Sequence, residues 1–267
     1  MNAALFVLST GRCGTQWLAA VLRRACGGRA AVEHEPLGDD YAPRLMLGAR
    51  DPATLSPDAA EPILEHAAGI ESILESRAYV ECGHPSWSTI PWLLRRFAGR
   101  IRVLHLVRHP VPTAWSWVTE RAYCPPLAPH LRERVLLSPF DAGVRFTSYR
   151  ARWPSLNPYE KALFYWAEVN AFGLCAAESA GVPWMRVRFE DLAEGDALPR
   201  VLAFAGCEDP EIARPDPVDE FRFLSDFWCD PGMIAAHADV VEVARAMGYD
   251  ACAFDEGSLR RRYFLNP

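Results

Sequence analysis

Long apolar runs are missing from this 267-residue chain. The longest uninterrupted run, from Ala3 to Leu8, covers only six residues, whereas a helix that spans a bilayer needs about 20. The run also lacks the basic flank and the small-residue cleavage site of a secretory signal, so we expect a cytoplasmic protein with no transmembrane segment. With 50% hydrophobic and 23% charged residues, the composition is that of an ordered globular chain.

Cysteine motifs are missing too, although the chain contains eight cysteines. No two of them form a Cys-x-x-Cys pair that a His-x-x-x-His sequence could match. We therefore expect no metal site and, in a chain without a secretory signal, no framework of disulfide bonds.

Lysine is nearly absent. Of 28 basic residues one is Lys161, so the other 27 are arginines. Any anion site is therefore expected to use arginine side chains, which donate several hydrogen bonds in a fixed plane. The formal net charge of −6 gives no electrostatic reason to expect a nucleic-acid partner.

Short apolar runs alternate with helical patterns, which is typical of β-α units around a parallel sheet. We predict strands at 3–9, 31–34, 78–82, 101–107 and 184–189, and helices at about 14–26, 62–76, 159–180 and 233–247, with a further helix beginning at Pro110. The expected fold is α/β, with three layers, a central and mostly parallel sheet, a P-loop-like strand-loop-helix, and helices on both faces. We expect one domain over residues 1–267.

The stretch from about 122 to 158 breaks this pattern, with six prolines and little periodicity. A long irregular segment inside a compact domain often forms a lid or a binding loop. Its basic and aromatic residues either frame an anionic or glycan-like acceptor or form a solvated lid: Arg132, Arg134, Arg145, Arg150, Arg152, Phe140, Phe146, Tyr149 and Trp153. A second aromatic cluster either lines an acceptor pocket or packs beneath the last helix: Phe221, Phe223, Phe227 and Trp228.

The first candidate site is the sequence S-T-G-R-C-G-T-Q-W at 9–17, between the first strand and the first helix. Backbone N–H groups and a helix N-terminus in such a turn attract phosphate or sulfate. Gly11 and Gly14 allow the close approach of an oxyanion, and Arg12 supplies charge. The loop is not a Walker A motif, because its glycines are too close and it lacks the lysine and the following hydroxyl.

The second candidate site follows the strand at 101–107. Arg108 stands at the carboxyl end of this strand, and Ser116 comes eight residues later in the next helix. Ligands of open α/β sheets bind at the carboxyl ends of strands, so Arg108 and the Arg12 loop are expected to face one crevice.

With these two elements the chain resembles the sulfotransferases that use 3′-phosphoadenosine 5′-phosphosulfate (PAPS). The segments V-R-F-E-D-L at 187–192 and A-M-G-Y at 246–249 are also similar to that family. The resemblance implies that the loop holds the 5′-phosphosulfate and that Arg108 and Ser116 hold the 3′-phosphate. The donor-binding residues that it implies are Thr10, Gly11, Arg12, Cys13, Gly14, Thr15, Gln16, Trp17, Arg108, Ser116 and Phe189.

Departures from the family pattern affect specific contacts. Arg12 stands where cytosolic members have lysine, as in many Golgi-type and bacterial members. Arginine keeps the charge but does not donate a proton. Phe189 replaces a tyrosine that often contacts the adenine. In the tail, Arg260 to Arg262 either supply a late phosphate-binding arginine or form a solvated basic surface.

The resemblance implies a general base for the acceptor, and two residues compete for this role. Glu35 lies just past the second strand, where Golgi-type and bacterial members place a catalytic glutamate. Partial burial is expected to raise its pKa, and a nearby Arg12 to oppose that rise. His84 occurs in a context similar to the catalytic histidine of cytosolic members. We favour Glu35 because the arginine-type loop accompanies the glutamate branch, with Glu33 and Asp39 as further alternatives.

These expectations describe an enzyme that transfers a sulfuryl group from PAPS, without a metal, to a hydroxyl or amine. The acceptor would be a small molecule, a lipid or a carbohydrate. Arg12 would stabilise the leaving phosphate, where charge develops. Two rivals are a P-loop kinase acting on a nucleotide or small molecule, which the missing G-K-[ST] sequence disfavours, and a nucleotide-binding protein without turnover.

Overall fold

A five-stranded parallel sheet forms the centre of the protein, as a computed structural model describes it for residues 2–193, 195–207 and 224–265. The strands are β1 (Ala4–Leu8), β2 (Ala30–His34), β3 (Ala78–Cys82), β4 (Ile101–Val107) and β5 (Trp184–Arg188). Their order across the sheet is β2-β3-β1-β4-β5, and all neighbouring pairs are parallel. The order places the carboxyl ends of β1, β3 and β4 side by side.

Helices cover both faces of the sheet. They are α1 (Thr15–Cys26), α2 (Pro43–Ala49), α3 (Pro57–Ser76), α4 (Ile90–Arg96), α5 (Pro110–Thr119), α6 (Pro158–Ser179), α7 (Phe189–Ala193), α8 (Ala197–Ala205), α9 (Ala238–Ala246) and α10 (Glu256–Tyr263). Within the described residues, no helix is both long enough and apolar enough to span a membrane.

The side chains of β1 show why helices pack on both faces of the sheet. Successive side chains of a strand point to opposite faces. Leu5 and Val7 pack with α1 and α8, whereas Phe6 and Leu8 pack with a larger cluster that includes α5 and α6. Because β1 is buried on both faces, its sequence is continuously apolar, and the predicted α/β three-layer fold is confirmed.

The predicted helix at 233–247 is divided in the structure. A 3₁₀ segment covers Pro231–Ala236, and α9 begins only at Ala238. His237, between them, has a non-helical backbone (φ −108°, ψ 76°). Its buried imidazole bonds Glu160 through Nε2 (3.1 Å) and the Tyr149 hydroxyl through Nδ1 (2.9 Å). These tertiary contacts accompany the break in the helix.

No framework of disulfide bonds was expected, but the structure joins one pair of cysteines, Cys26 and Cys207. Cys26 is the last residue of α1, and Cys207 follows the glycine that ends α8. The two residues are 181 positions apart in sequence, so no local cysteine motif could indicate the pairing.

His105 is a buried histidine on β4 that faces α6. It is 1% exposed, and its Nε2 lies 3.0 Å from Oδ1 of Asn170. Gly173 makes room for the ring, since a Cβ at this position would lie 2.5 Å from His105 Cε1. Burial lowers the pKa of His105 to about 4, although the bond to Asn170 opposes this shift.

We predict that this histidine makes stability depend on pH. The pKa of His105 is lower in the folded than in the unfolded state, so the unfolded chain binds the proton more readily. The free energy of unfolding should therefore fall as the pH drops from 6.5 towards 4, with a loss from this group on the order of 2 kcal/mol by pH 5. Urea denaturation at several pH values measures it. An equal loss in the variant His105→Gln would contradict the assignment.

Candidate functional site

The loop between β1 and α1 has a left-handed backbone at three of its residues. Gly11 and Gly14 have positive φ angles of 73° and 82°, and Arg12 between them has a φ of 57°. A Cβ on Gly14 would lie 2.3 Å from Cε2 of Phe189, and a Cβ on Gly11 would lie 2.9 Å from Cγ of His84. Helix α1 begins at Thr15, and no side chain at its N-cap residue, Gly14, accepts a hydrogen bond from the first turn. Oxyanions bind at this end of a helix.

Ser116 of α5 and Glu120, the residue that follows α5, hold the guanidinium of Arg12. Its Nε donates to Ser116 Oγ over 2.9 Å, and its Nη2 lies 3.1 Å from Oε1 of Glu120. Ser116 and Glu120 are four residues apart, so a helix presents them on the same side. The sequence analysis named Ser116 but missed Glu120, although its spacing from Ser116 was a usable signal.

Arg108 connects the second candidate site to the first. Its Nη1 donates to the carbonyl oxygen of Arg12 over 2.9 Å, and its Nη2 donates to the Tyr263 hydroxyl over 3.2 Å. The guanidinium also lies over the Phe189 ring, 5.2 Å from its centroid. The structure thus brings Arg12, Arg108, Ser116 and Phe189 together, where the sequence analysis expected one crevice.

Glu35 and His84, which the sequence analysis treated as competitors, are hydrogen-bonded partners. Glu35 Oε1 lies 3.0 Å from His84 Nδ1 and accepts the His84 backbone N–H over 3.3 Å. They follow β2 and β3, adjacent parallel strands in which His34 is in register with Cys82. Glu35 has a φ of 48°. Gly83 permits the contact, because a Cβ there would lie 2.6 Å from Glu35 Cγ.

The pKa of Glu35 moves in the direction opposite to the one expected. Burial acts to raise it, but the hydrogen bond and positive charge of His84, with a contribution from His34, outweigh burial and lower the pKa to about 2. Histidines, not Arg12, oppose the effect of burial. Glu35 is therefore ionised at neutral pH and is a weak base.

The second nitrogen of the His84 ring, Nε2, is one of ten buried side-chain atoms that have no hydrogen-bond partner among the described residues. The edge of the ring meets Trp117, whose centroid is 5.3 Å away, and Trp117 in turn donates from Nε1 to the carbonyl of Thr10 over 3.0 Å. A buried polar atom without a partner destabilises a fold by roughly 1–3 kcal/mol, so such atoms call for an explanation.

The other loop residues predicted to bind the donor make contacts within the protein itself. Cys13 is fully buried, and its Sγ lies 3.1 Å from Oγ1 of Thr10. Burial raises the pKa of the Cys13 thiol. Thr15 Oγ1 lies 3.1 Å from His34 Nε2. Trp17 is 8% exposed and packs in the apolar cluster beneath α1. Gln16, next to it, is half-buried.

A cavity of about 450 Å³ opens beside Arg108. Arg188 and Arg262 share its lining with Arg108, and Ser258 and Tyr263 of α10 lie in the same wall. Of the three tail arginines, Arg262 thus lies beside Arg108. Among the described residues, no group of three or more His, Cys, Asp or Glu side chains could hold a metal ion.

The arginines of the irregular segment contact groups of the chain itself. Arg134 pairs with Asp40, Arg132 with Glu133, and Arg150 donates to the carbonyl of Pro139. Arg145 contacts Cys175, and Arg152 lies over Tyr149. These contacts agree with a structural role for the segment.

Only part of the second aromatic cluster falls in the described residues. Trp228 stacks on Trp115 of α5 with 4.4 Å between centroids, and Phe227 lies against the same ring. They belong to the core there, while Phe221 and Phe223 lie outside the described residues.

Solved structures provide a parallel for this architecture. The chain is similar to a sulfotransferase from Alicyclobacillus acidocaldarius, with 17% identity and a TM-score of 0.52 over 98% of this chain and 100% of that one. The fold is a sulfotransferase fold. Two further similar structures are sulfotransferase domains, one from the Synechococcus PCC 7002 olefin synthase (17% identity, 94% and 95% coverage, TM-score 0.48) and one from the curacin biosynthetic pathway (16%, 100% and 93%, 0.46). No protein-family model and no curated protein matches the chain.

The left-handed turn makes the loop sensitive to one added methyl group. Gly14→Ala should lower the free energy of unfolding by more than about 1 kcal/mol, because alanine at a positive φ is strained and its Cβ would overlap Phe189. Gly69→Ala is the matched control. Gly69 lies within α3, and a Cβ there would meet no atom within 4 Å, so this substitution should stabilise the protein by about 0.5–1 kcal/mol. Equal effects in denaturant titrations would contradict the loop geometry.

Proposed function

We propose that the protein is a sulfotransferase that transfers a sulfuryl group from PAPS to a hydroxyl or amine of a small-molecule, lipid or carbohydrate acceptor. The observation that carries this proposal is the hydrogen bond from Arg108 to the Arg12 carbonyl. This bond joins the Arg12 loop to Arg108, and each of these two elements can bind an oxyanion. PAPS carries anionic groups at both its 5′ and 3′ positions, so a single donor molecule would engage both elements.

In this proposal, the loop and α1 bind the 5′-phosphosulfate. Arg12 and the loop N–H groups would face the bridging oxygen and the leaving phosphate, where negative charge develops. Arg108 would bind the 3′-phosphate with Ser116. Ser116 Oγ already accepts from Arg12, but a hydroxyl retains its own hydrogen for a second partner. Arg262 shares the cavity beside Arg108, and Trp17 and Phe189 would contact the adenine.

The reaction breaks the bond between sulfur and the bridging oxygen and forms a bond between sulfur and the acceptor atom. The electron pair of the broken bond leaves with the phosphate of 3′,5′-ADP, and the proton of the acceptor goes to a base. As in phosphoryl transfer, the protein contributes in-line positioning and charge stabilisation. Arg12 can supply that charge, since guanidinium stays protonated throughout.

We propose His84 Nε2, in place of the initially favoured Glu35, as the atom that takes the proton. The Glu35 carboxylate is engaged with Nδ1 of His84, and in a neutral His84 ring this bond would place the proton on Nδ1 and leave Nε2 free to accept one. The unpartnered state of Nε2 agrees with this role. Glu35 would then also stabilise the imidazolium that forms.

This assignment predicts a specific chemical rescue. His84→Ala should lower kcat by about 10²- to 10⁴-fold, as expected for the loss of a general base, and added imidazole should restore part of the rate. Glu35→Ala should lower kcat less and should not respond to imidazole. If His84→Ala keeps normal turnover and Glu35→Ala is rescued by formate, then Glu35 is the base.

Ligand preference separates the proposed function from its rivals. In a thermal-shift experiment, 3′,5′-ADP at 100 times its Kd should stabilise the fold by about 2.7 kcal/mol, and magnesium should not be needed. Arg108→Ala should abolish the shift. Arg95→Ala is the control, because Arg95 lies exposed on α4 and donates only to backbone carbonyls. A preference for ATP with magnesium would instead indicate a kinase, and nucleotide binding without sulfuryl transfer would indicate a binding protein.

A further inference from the structure

We infer that Glu190 and Tyr249 act as positioning residues for Arg108, so that they set the selectivity of the protein for a 3′-phosphorylated nucleotide. They come from the E-D-L and A-M-G-Y segments, to which the proposed reaction gives no role. The inference rests on the proposed function, because it assigns the 3′-phosphate to Arg108.

The two side chains contact the backbone on both sides of Arg108. Glu190 Oε1 accepts the backbone N–H of His109 over 3.1 Å. Tyr249 donates its hydroxyl to Glu190 Oε2 over 2.6 Å, and the same hydroxyl lies 3.2 Å from the carbonyl oxygen of Val107. Glu190 and Tyr249 therefore form a bridge, hereafter the Glu190–Tyr249 brace, from one peptide neighbour of Arg108 to the other.

Arg108 stands where regular structure supplies few hydrogen bonds. The β4–β5 pairing ends with Val107 opposite Arg188, and α5 begins with Pro110, which has no N–H. Backbone polar groups at such a junction must find partners elsewhere. The Glu190 carboxylate accepts the His109 N–H, and Trp166 Nε1 donates to the carbonyl oxygen of Arg108 itself over 3.0 Å. The brace thus holds the backbone on the His109 side of Arg108, from which the Arg108 side chain extends.

The brace is suited to hold an arginine and unsuited to bind a phosphate itself. Glu190 is a carboxylate, which repels an anion, and it lines the same cavity as Arg108 and Tyr249. Burial and the charge of Glu190 both raise the pKa of the Tyr249 hydroxyl, so the phenol keeps its proton and donates it to the carboxylate. In this inference the brace acts on the nucleotide through Arg108, whose two neighbouring peptide groups it contacts.

The test is the selectivity between 3′,5′-ADP and 5′-AMP, which differ only in the 3′-phosphate. Tyr249→Phe removes the hydroxyl but keeps the ring, which packs on His109 with 5.4 Å between centroids. Its Kd for 3′,5′-ADP, measured by calorimetry, should rise about tenfold, the usual scale for losing one charge-assisted hydrogen bond. Its Kd for 5′-AMP should change by less than about twofold.

Two further variants separate positioning from general loss of structure. Tyr159→Phe also removes a buried hydroxyl, one that donates to the carbonyl of Pro231 over 3.0 Å, and should leave the selectivity unchanged. Glu190→Gln retains an oxygen acceptor, so it should keep more selectivity than Glu190→Ala.

The outcomes distinguish this inference from the proposed function. If the wild-type protein prefers 3′,5′-ADP and Tyr249→Phe shows the same preference, the brace has no positioning role and only the inference fails. An equal loss of affinity for both nucleotides, or the same loss in Tyr159→Phe, also overturns it. A wild-type protein that does not distinguish the two nucleotides overturns the proposed function together with the inference.

Discussion

The hydrogen bond from the Arg108 guanidinium to the carbonyl of Arg12 joins the ends of two neighbouring strands. Parallel pairing of β1 and β4 brings these ends to the same edge of the sheet, and the left-handed turn at Arg12 presents its carbonyl to Arg108. Through this bond the position of one arginine depends on the backbone of the other. The proposed donor site, its selectivity and its charge stabilisation all require that arrangement.

A second consequence of parallel order is the pairing of Glu35 with His84. The two residues are 49 positions apart in sequence, and they meet because they follow adjacent parallel strands. In contact, they acquire different properties. The pKa of the Glu35 carboxyl group falls to about 2. The carboxylate orients the His84 ring, whose Nε2 has no partner among the described residues. The proposed acid–base role therefore involves both members of the pair.

The sequence was sufficient for those parts of the protein that depend on local patterns. All five strands were predicted within one or two residues, because buried parallel strands are apolar runs bounded by helices. Helix α3 begins at Pro57, five residues before the prediction at Pro62, and its first turn contains no large apolar side chain that would extend the helical pattern. The short helices α2 and α4 were not predicted, because seven residues carry little periodic signal.

Parts that depend on distant contacts were not predictable in the same way. The sequence placed Arg12, Ser116 and Arg108 in one crevice but gave no sign that Ser116 would bond to Arg12. Glu35 and His84 were treated as alternative bases, because each matches a different branch of the family. Nothing in either match indicated that the two side chains would be in contact. The Cys26–Cys207 bond and the division of the helix at His237 have the same origin in tertiary contacts.

The measurement that tests the central claim most directly is a crystal structure of the protein with bound 3′,5′-ADP. The account predicts one nucleotide that spans both arginines, with its 5′-phosphate at the loop around Arg12 and its 3′-phosphate at Arg108. A nucleotide that contacts only one of the two guanidinium groups, or two guanidinium groups that face separate cavities, would contradict it.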